Sequence, residues 1–159
     1  MTQRIKPAKA PLSLEARAFL NLFRTCSLFV GQLNDTLRVA DISQPQYNVL
    51  RILRGAGETG LPSGEIGERM VNRDPDVTRL LDRMEARGLV SRARDSADRR
   101  VITVYLSEHG RDVVDSLDAP IQTLHEQQFG LLSRERSENA DRFAGAGARR
   151  RRAVTGRGP

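Results

Sequence analysis

The stretch from Asp74 to Leu106 constrains this chain more than any other part of it. Val77, Leu80, Leu81 and Met84 recur at i, i+3, i+4 and i+7, the spacing that puts four apolar side chains on one stripe of an α-helix. Asp76, Thr78, Arg79, Asp82 and Arg83 occupy the other face. Asp74 is a good N-cap, Pro75 stands at the first helical position, where its missing N–H costs nothing, and Gly88 supplies a left-handed stop. A helix is therefore predicted over 74–87. Beyond Gly88 the helical period gives way to alternation. Residues 89–94 and 101–106 read as two strands, the second with Ile102, Val104 and Leu106 on one face. The polar segment between them ends in Asp98, Arg99 and Arg100.

Upstream, Ser43-Gln44-Pro45-Gln46 has the form of a capping box, and Tyr47, Leu50 and Leu53 give the helix it opens a buried face. The glycine-rich run 55–60 stops that helix. Ser63 is read as the cap of a two-turn helix from Gly64 to Met70, whose apolar residues Ile66 and Met70 lie four apart. Val71-Asn72-Arg73 then turns the chain into the helix described above. Short helix, tight turn and second helix make a helix-turn-helix, and the hairpin beside it makes a wing. A helix with arginines near its N-terminus, next to a hairpin with an arginine-rich tip, suits a duplex. The helix enters the major groove while the tip reaches phosphates or the neighbouring minor groove.

At these residues the chain resembles the MarR family of bacterial transcription regulators. The wing pattern Asp-x-Arg-x-x-x-Val-x-Leu-Ser is present as Asp98, Arg100, Val104, Leu106 and Ser107, and residues 77–90 are similar to the family's recognition helix almost throughout. The resemblance runs from about Ser13 to Leu132. It implies a mainly α fold with a small β-hairpin wing, a winged helix-turn-helix with N- and C-terminal dimerisation helices. On this reading 1–12 is a flexible basic arm, 13–42 and 107–144 form the helical dimerisation region, 43–106 is the DNA-binding domain and 145–159 is a disordered basic tail. The implied function is a ligand-responsive repressor that binds a pseudo-palindromic operator in double-stranded DNA as a homodimer. The resemblance also implies a small aromatic or phenolic effector held between the dimer helices and the winged domain. Phe23, Ser27, Tyr47 and Arg51 are placed to line such a crevice, but the same positions equally suit plain core.

Candidate DNA contacts follow from position and chemistry. Asp76, Thr78 and Arg79 lie near the N-terminus of the second helix, where base edges come within reach. Arg79 suits guanine, whose O6 and N7 match a guanidinium bidentately, and Thr78 suits a thymine methyl or a phosphate. Ser63, Arg73 and Arg83 are expected to hold the DNA backbone. The family's wing motif places Arg100 at the DNA with Asp98 orienting it, and Arg94 and Arg99 add charge toward phosphates.

Ser13 opens a long first helix on which Phe19, Leu22, Phe23, Cys26, Phe29, Val30, Leu33 and Leu37 share one face. That is more apolar surface than one subunit of this size can readily cover. The resemblance implies that this helix packs on the C-terminal helices and on a second subunit. Ser107 caps a further helix running to about Gln128, with Val113, Val114, Leu117, Ile121 and Leu124 on one side and a break expected near Asp118-Ala119 because of Pro120. The leucine-rich last helix that the resemblance implies is replaced after Ser133 by a charged, arginine-rich sequence, for which a frayed helix and then disorder are expected. The change is abrupt enough to suggest a shifted reading frame.

Charge is distributed unevenly. Of the net +6, residues 69–100 hold nine arginines against six acids, whereas 101–148 hold four arginines against eight acids and 149–159 hold five arginines alone. Positive charge inside the fold thus gathers on the helix and hairpin, a footprint for a polyanion. No apolar run approaches the roughly 20 residues that span a bilayer, and no apolar stretch follows the N-terminal basic residues, so a cytoplasmic location without membrane partners is expected. The single cysteine forbids an internal disulfide. Cys26 is read as a small core residue rather than a redox sensor. His109 and His125 have no zinc-ligand spacing, and neither a phosphate-cradling glycine loop nor a nucleophile motif is present, so no enzyme activity, cofactor or metal is expected. The competing reading is a winged-helix protein-interaction module whose basic tail makes nonspecific contact with nucleic acid or membrane.

Overall fold

The structure is a computed structural model and describes residues 12–71, 76–94, 101–130, 132–142 and 145. The expectations for the basic arm, for the wing tip at 95–100 and for the basic tail fall on residues outside this set.

Among the described residues, six α-helices, a further helical stretch at 134–142 and three short strands follow the order the sequence predicts, with the first strand as an addition. Ser13 accepts a hydrogen bond from the Ala16 N–H and caps helix α1, Leu14–Arg38. Asp41, at φ 51°, turns the chain into α2, Gln44–Ala56, where the Ser43 N–H donates to Gln46 Oε1 at 2.8 Å as the capping box requires. A single 3-10 turn, Gly57–Thr59, leads into a two-residue strand, β1, Leu61–Pro62. Helix α3 is Ser63–Arg69 and α4 is Val77–Ala86. Strands β2, Val90–Arg94, and β3, Ile102–Leu106, form the hairpin. Helices α5, Glu108–Ser116, and α6, Asp118–Phe129, follow, and residues 134–142 are helical as well.

The strand order is β1-β3-β2, all antiparallel, with Leu61 opposite Val104 and Arg92 also opposite Val104 from the other side. Strand β1 was not expected. A proline-containing pair of residues carries no alternation to read, and proline is tolerated there because the strand lies at the sheet edge.

Leu37, Leu50, Leu53, Ile66, Leu80, Leu81, Met84, Val104 and Val114 are buried in one core, drawn from α1 through α5. Each leucine removed from water stabilises the fold by about 1.5–3 kcal/mol. Only the C-terminal end of α1 joins that core. Phe19, Leu22 and Phe23 remain 66%, 53% and 62% exposed, which bears out the expectation of more apolar surface than one chain covers. Cys26 lies on the same exposed face, so its reading as a core residue is corrected. The helical stripe identifies an apolar face, and among the described residues nothing covers it.

The α5–α6 break falls at Leu117, just ahead of the expected Asp118-Ala119. Pro120 thereby occupies the first turn of α6, where its missing donor leaves no hydrogen bond unmade. Ser107 caps α5 as predicted, accepting from the Gly110 N–H at 2.9 Å. Phe29 meets Phe129 edge-on with centroids 5.4 Å apart, and Gln128 Nε2 donates to Gln32 Oε1 at 3.0 Å, so α6 is clasped to α1. Residues 134–142 lie almost wholly exposed, as the charged composition there requires. No helix among the described residues is long and apolar enough to cross a membrane.

Candidate nucleic-acid interface

Helix α4 is divided along its length. Leu80, Leu81 and Met84 are buried, Val77 is half-buried, and Thr78, Arg79, Asp82 and Arg83 face outward. Its start differs from the sequence expectation of a cap at Asp74. The N-cap is Asp76, whose Oδ1 accepts from the Arg79 N–H at 3.1 Å, while Asp74 and Pro75 lie outside the described residues. An aspartate at this position also meets the positive end of the helix dipole. At the other end Gly88 takes φ 68°, with its N–H donating to Glu85 O and that of Leu89 to Met84 O, a Schellman stop as predicted.

Asp76 does more than cap. Its Oδ2 lies 3.0 Å from Arg79 Nε, so the guanidinium is held at the helix N-terminus while the side chain stays 82% exposed. Arg83, one turn further on, makes no ion pair among the described residues and projects into solvent. Thr78 is exposed beside Arg79.

Ser63 is not the cap of α3. It is that helix's first residue, with Pro62 as cap, and its Oγ donates to Ile102 O at 3.3 Å. The reason is β1: its pairing with β3 through Pro62 brings Ser63 against the hairpin as the helix begins. Ile102, read as sharing a face with Val104, is 39% exposed at the open end of β3, whereas Val104 is buried. Together Ser63, Thr78, Arg92 and Ile102 line a cleft between α3, α4 and the hairpin. Arg94 is exposed at the end of β2. Arg73, Asp98, Arg99 and Arg100 lie outside the described residues. Of the ten candidate contacts, Ser63 and Thr78 line this cleft, Asp76 and Arg79 pair at the start of α4, and Arg83 and Arg94 are exposed on α4 and β2.

Two arginines were missed. Arg92 of β2 reaches over α4 to Asp82, 2.7 Å away, and Arg87 at the end of α4 donates to Asp41 O at 2.7 Å and to Asp41 Oδ2 at 3.0 Å. Alternation in β2 places Arg92 on the same side of the strand as Val90, facing the helix, a signal that its charge masked.

A second recess lies where α2 meets α1 and α6. Leu33, Pro45, Tyr47, Asn48, Arg51 and His125 line a cavity of about 150 Å³. The Arg51 guanidinium stands 5.8 Å from the Tyr47 ring centroid. Burial pushes the Tyr47 phenol above its ordinary pKa, against the opposing charge of Arg51, so the hydroxyl is protonated at neutral pH. Of the candidate crevice residues, Tyr47 and Arg51 line this cavity, whereas Phe23 and Ser27 are exposed on α1.

Residues 42–102 match the model of the MarR family. The transcriptional regulator HosA of Escherichia coli is 34% identical over 98 residues, covering 62% of this chain and 71% of that protein. The regulator TtmR of Methylorubrum extorquens is 33% identical over 108 residues, covering 68% of this chain and 54% of TtmR, so the chain spans about half the length of that relative. Among solved structures, a MarR variant from Escherichia coli in complex with operator DNA superposes with a TM-score of 0.74 at 22% identity, over 86% of this chain and 98% of the other.

Proposed function

This chain belongs to the MarR family of transcriptional regulators, and from that premise we propose that it is a sequence-specific double-stranded DNA-binding repressor, acting in the cytoplasm as a homodimer on a pseudo-palindromic operator. The observation that carries the reading is the division of α4. Its apolar stripe is spent on the core, and Thr78, Arg79 and Arg83 are left on a free convex edge that fits a major groove. Arg79 reads a guanine, Thr78 a thymine methyl or a phosphate, and Ser63, Arg83 and Arg94 hold the DNA backbone. Asp76 presents Arg79. Arg73, Asp98, Arg99 and Arg100 are assigned to the same interface.

Residues 43–106 are the DNA-binding unit in this reading, and 13–42 with 107–144 bring two copies together. The exposed Phe19, Leu22 and Phe23 support that division, since a second copy is the simplest cover for such a face. The cavity beside Tyr47 and Arg51 supports a small aromatic or phenolic effector, because its volume suits a single ring and its lining sets Leu33 and Pro45 beside the polar groups of Asn48, Arg51 and His125. Such an effector acts only through its difference in affinity for the DNA-bound and free spacings of the two α4 helices.

Footprinting on the DNA flanking the chain's own gene tests the proposal. Protection of an inverted repeat whose halves lie about 34 Å apart is expected. Binding that ignores sequence would overturn it.

A further inference from the structure

Thr78, Asp82 and Glu85 fall at i, i+4 and i+7 of α4, a polar stripe lying between its buried face and its outward arginines. Arg92 of β2 lies along that stripe. Its Nη1 is 2.7 Å from Asp82 Oδ1, its Nη2 donates to Thr78 O at 3.4 Å, and its Nε lies 3.7 Å from Glu85 Oε2. The side chain is only 17% exposed, and Nε is buried without a hydrogen-bond partner among the described residues. A long cation so placed is neither a solvated surface charge nor free to reach a phosphate. Its three contacts are all on one helix and span about two turns of it, from Thr78 to Glu85.

From this geometry we infer that Arg92 is a positioning residue, which locks the hairpin to α4 and so fixes the angle at which Arg79 and Arg83 on one element and Arg94 on the other meet DNA. The inference rests on the DNA-binding reading above and adds to it a residue outside the contact surface. Two physical effects combine. The planar guanidinium forks between separate acceptors, which a lysine ammonium cannot reproduce in the same geometry. Arg92 also neutralises Asp82 and Glu85, two carboxylates that would otherwise stand unpaired beside the phosphates. Neutralising them from inside leaves Arg79 and Arg83 available to the duplex.

The test compares wild type, Arg92→Gln, Arg92→Lys, Asp82→Asn and the double variant Arg92→Gln/Asp82→Asn for binding to the footprinted operator and to a scrambled duplex of equal length. Thermal melting is followed in parallel, so that every comparison is made where the variant is folded. Arg92→Gln is expected to weaken operator binding tenfold or more and to lower discrimination against the scrambled duplex. Arg92→Lys, which keeps the charge, is expected to restore less than half of the loss on a logarithmic scale. Adding Asp82→Asn to Arg92→Gln should recover part of it, since the stranded carboxylate is then gone. Operator binding by Arg92→Gln within twofold of wild type would overturn the inference. So would an equal loss on both duplexes with full rescue by lysine, which marks Arg92 as a bulk charge. If Arg92→Gln is unfolded at the assay temperature, Asp82→Asn and Arg92→Lys carry the same comparison. A wild-type protein that prefers no sequence refutes the DNA-binding reading itself, a result distinct from either failure of Arg92.

Discussion

Arg54 of α2 grips Asp118, the first residue of α6, through two parallel hydrogen bonds, Nη1 to Oδ2 at 2.8 Å and Nη2 to Oδ1 at 2.9 Å. The same Nη1 lies 2.7 Å from Asp115 Oδ1, so one guanidinium spans the break between α5 and α6. The helix that begins the winged unit is thereby tied to the point where the two C-terminal helices change direction.

Asp118→Asn is therefore expected to destabilise the chain by about 1 kcal/mol, the upper end for an exposed ion pair, because the bidentate geometry partly offsets the screening of a carboxylate that is largely in water. The Arg54 hydrogen bonds hold the Asp118 carboxyl below its ordinary range. A depressed carboxylate contributes stability above its unfolded pKa and loses it as pH falls through the folded one. The gap between wild type and Asp118→Asn should accordingly be constant near neutrality and close below about pH 4. Melting curves across that range check it, and a gap that persists into acid would sink the assignment.

Arg79→Ala and Arg83→Ala should fail differently. Arg79, oriented by Asp76, is assigned to a base edge, so its loss should cost about 1–3 kcal/mol and relax preference at one position of each half-site. Arg83 is assigned to a phosphate. Its loss should weaken all sequences alike and reduce the salt slope by about one. Titrations on operator and scrambled duplexes at several salt concentrations separate the two, and a uniform effect from Arg79→Ala contradicts its role as a reader.

The outward edge of α4 was legible because four apolar positions fix the phase of a helix, and everything else on it then has a place. Where the helix begins was not. Asp74 and Asp76 are both good caps by composition, and only the backbone decides that Asp76 receives the Arg79 N–H. Strand β1 and the placement of Ser63 were hidden for a related reason, since a two-residue edge strand is defined by its partner rather than by any pattern of its own. Cys26 shows the limit of periodicity most clearly. Its stripe is real, yet no described residue packs against that part of it. Arg92 escaped because arginines in a basic stretch are read as a surface, and its burial depends on the distance between β2 and α4.

Gly110 is required by contact rather than by conformation. A β-carbon there would collide with the Leu89 carbonyl oxygen and approach Leu106 Cδ1 at 3.0 Å. Both neighbours belong to the hairpin's ends, and Leu89 O already accepts from the Ser107 N–H. Gly110→Ala should thus push α5 off the hairpin at a cost of about 3 kcal/mol, the upper range for overpacking. For a chain of this size that corresponds to a melting point lowered by about 10 °C. Scanning calorimetry checks it, and a change of only a degree or two would mean that the close approach relaxes freely.

The exposed face of α1 gives the most direct test of assembly. Phe19 and Phe23 stack at 6.2 Å between centroids and, with Leu22, form a continuous apolar surface that no described residue covers. Because these side chains stand mostly in water within one chain, a charge placed there has little effect on the fold of a single subunit. Within a dimer it has a large one, since an unpaired charge must be buried or the interface abandoned. Phe23→Glu is therefore expected to leave the helical circular dichroism signal of α2–α5 in place while converting the protein from dimer to monomer in sedimentation equilibrium at micromolar concentration. Operator affinity should fall further than half-site binding does, since two linked α4 helices act as one bivalent ligand and a lone subunit loses that gain. A Phe23→Glu protein that stays dimeric with unchanged operator affinity would place the interface elsewhere, and the apolar stripe of α1 would need a different partner.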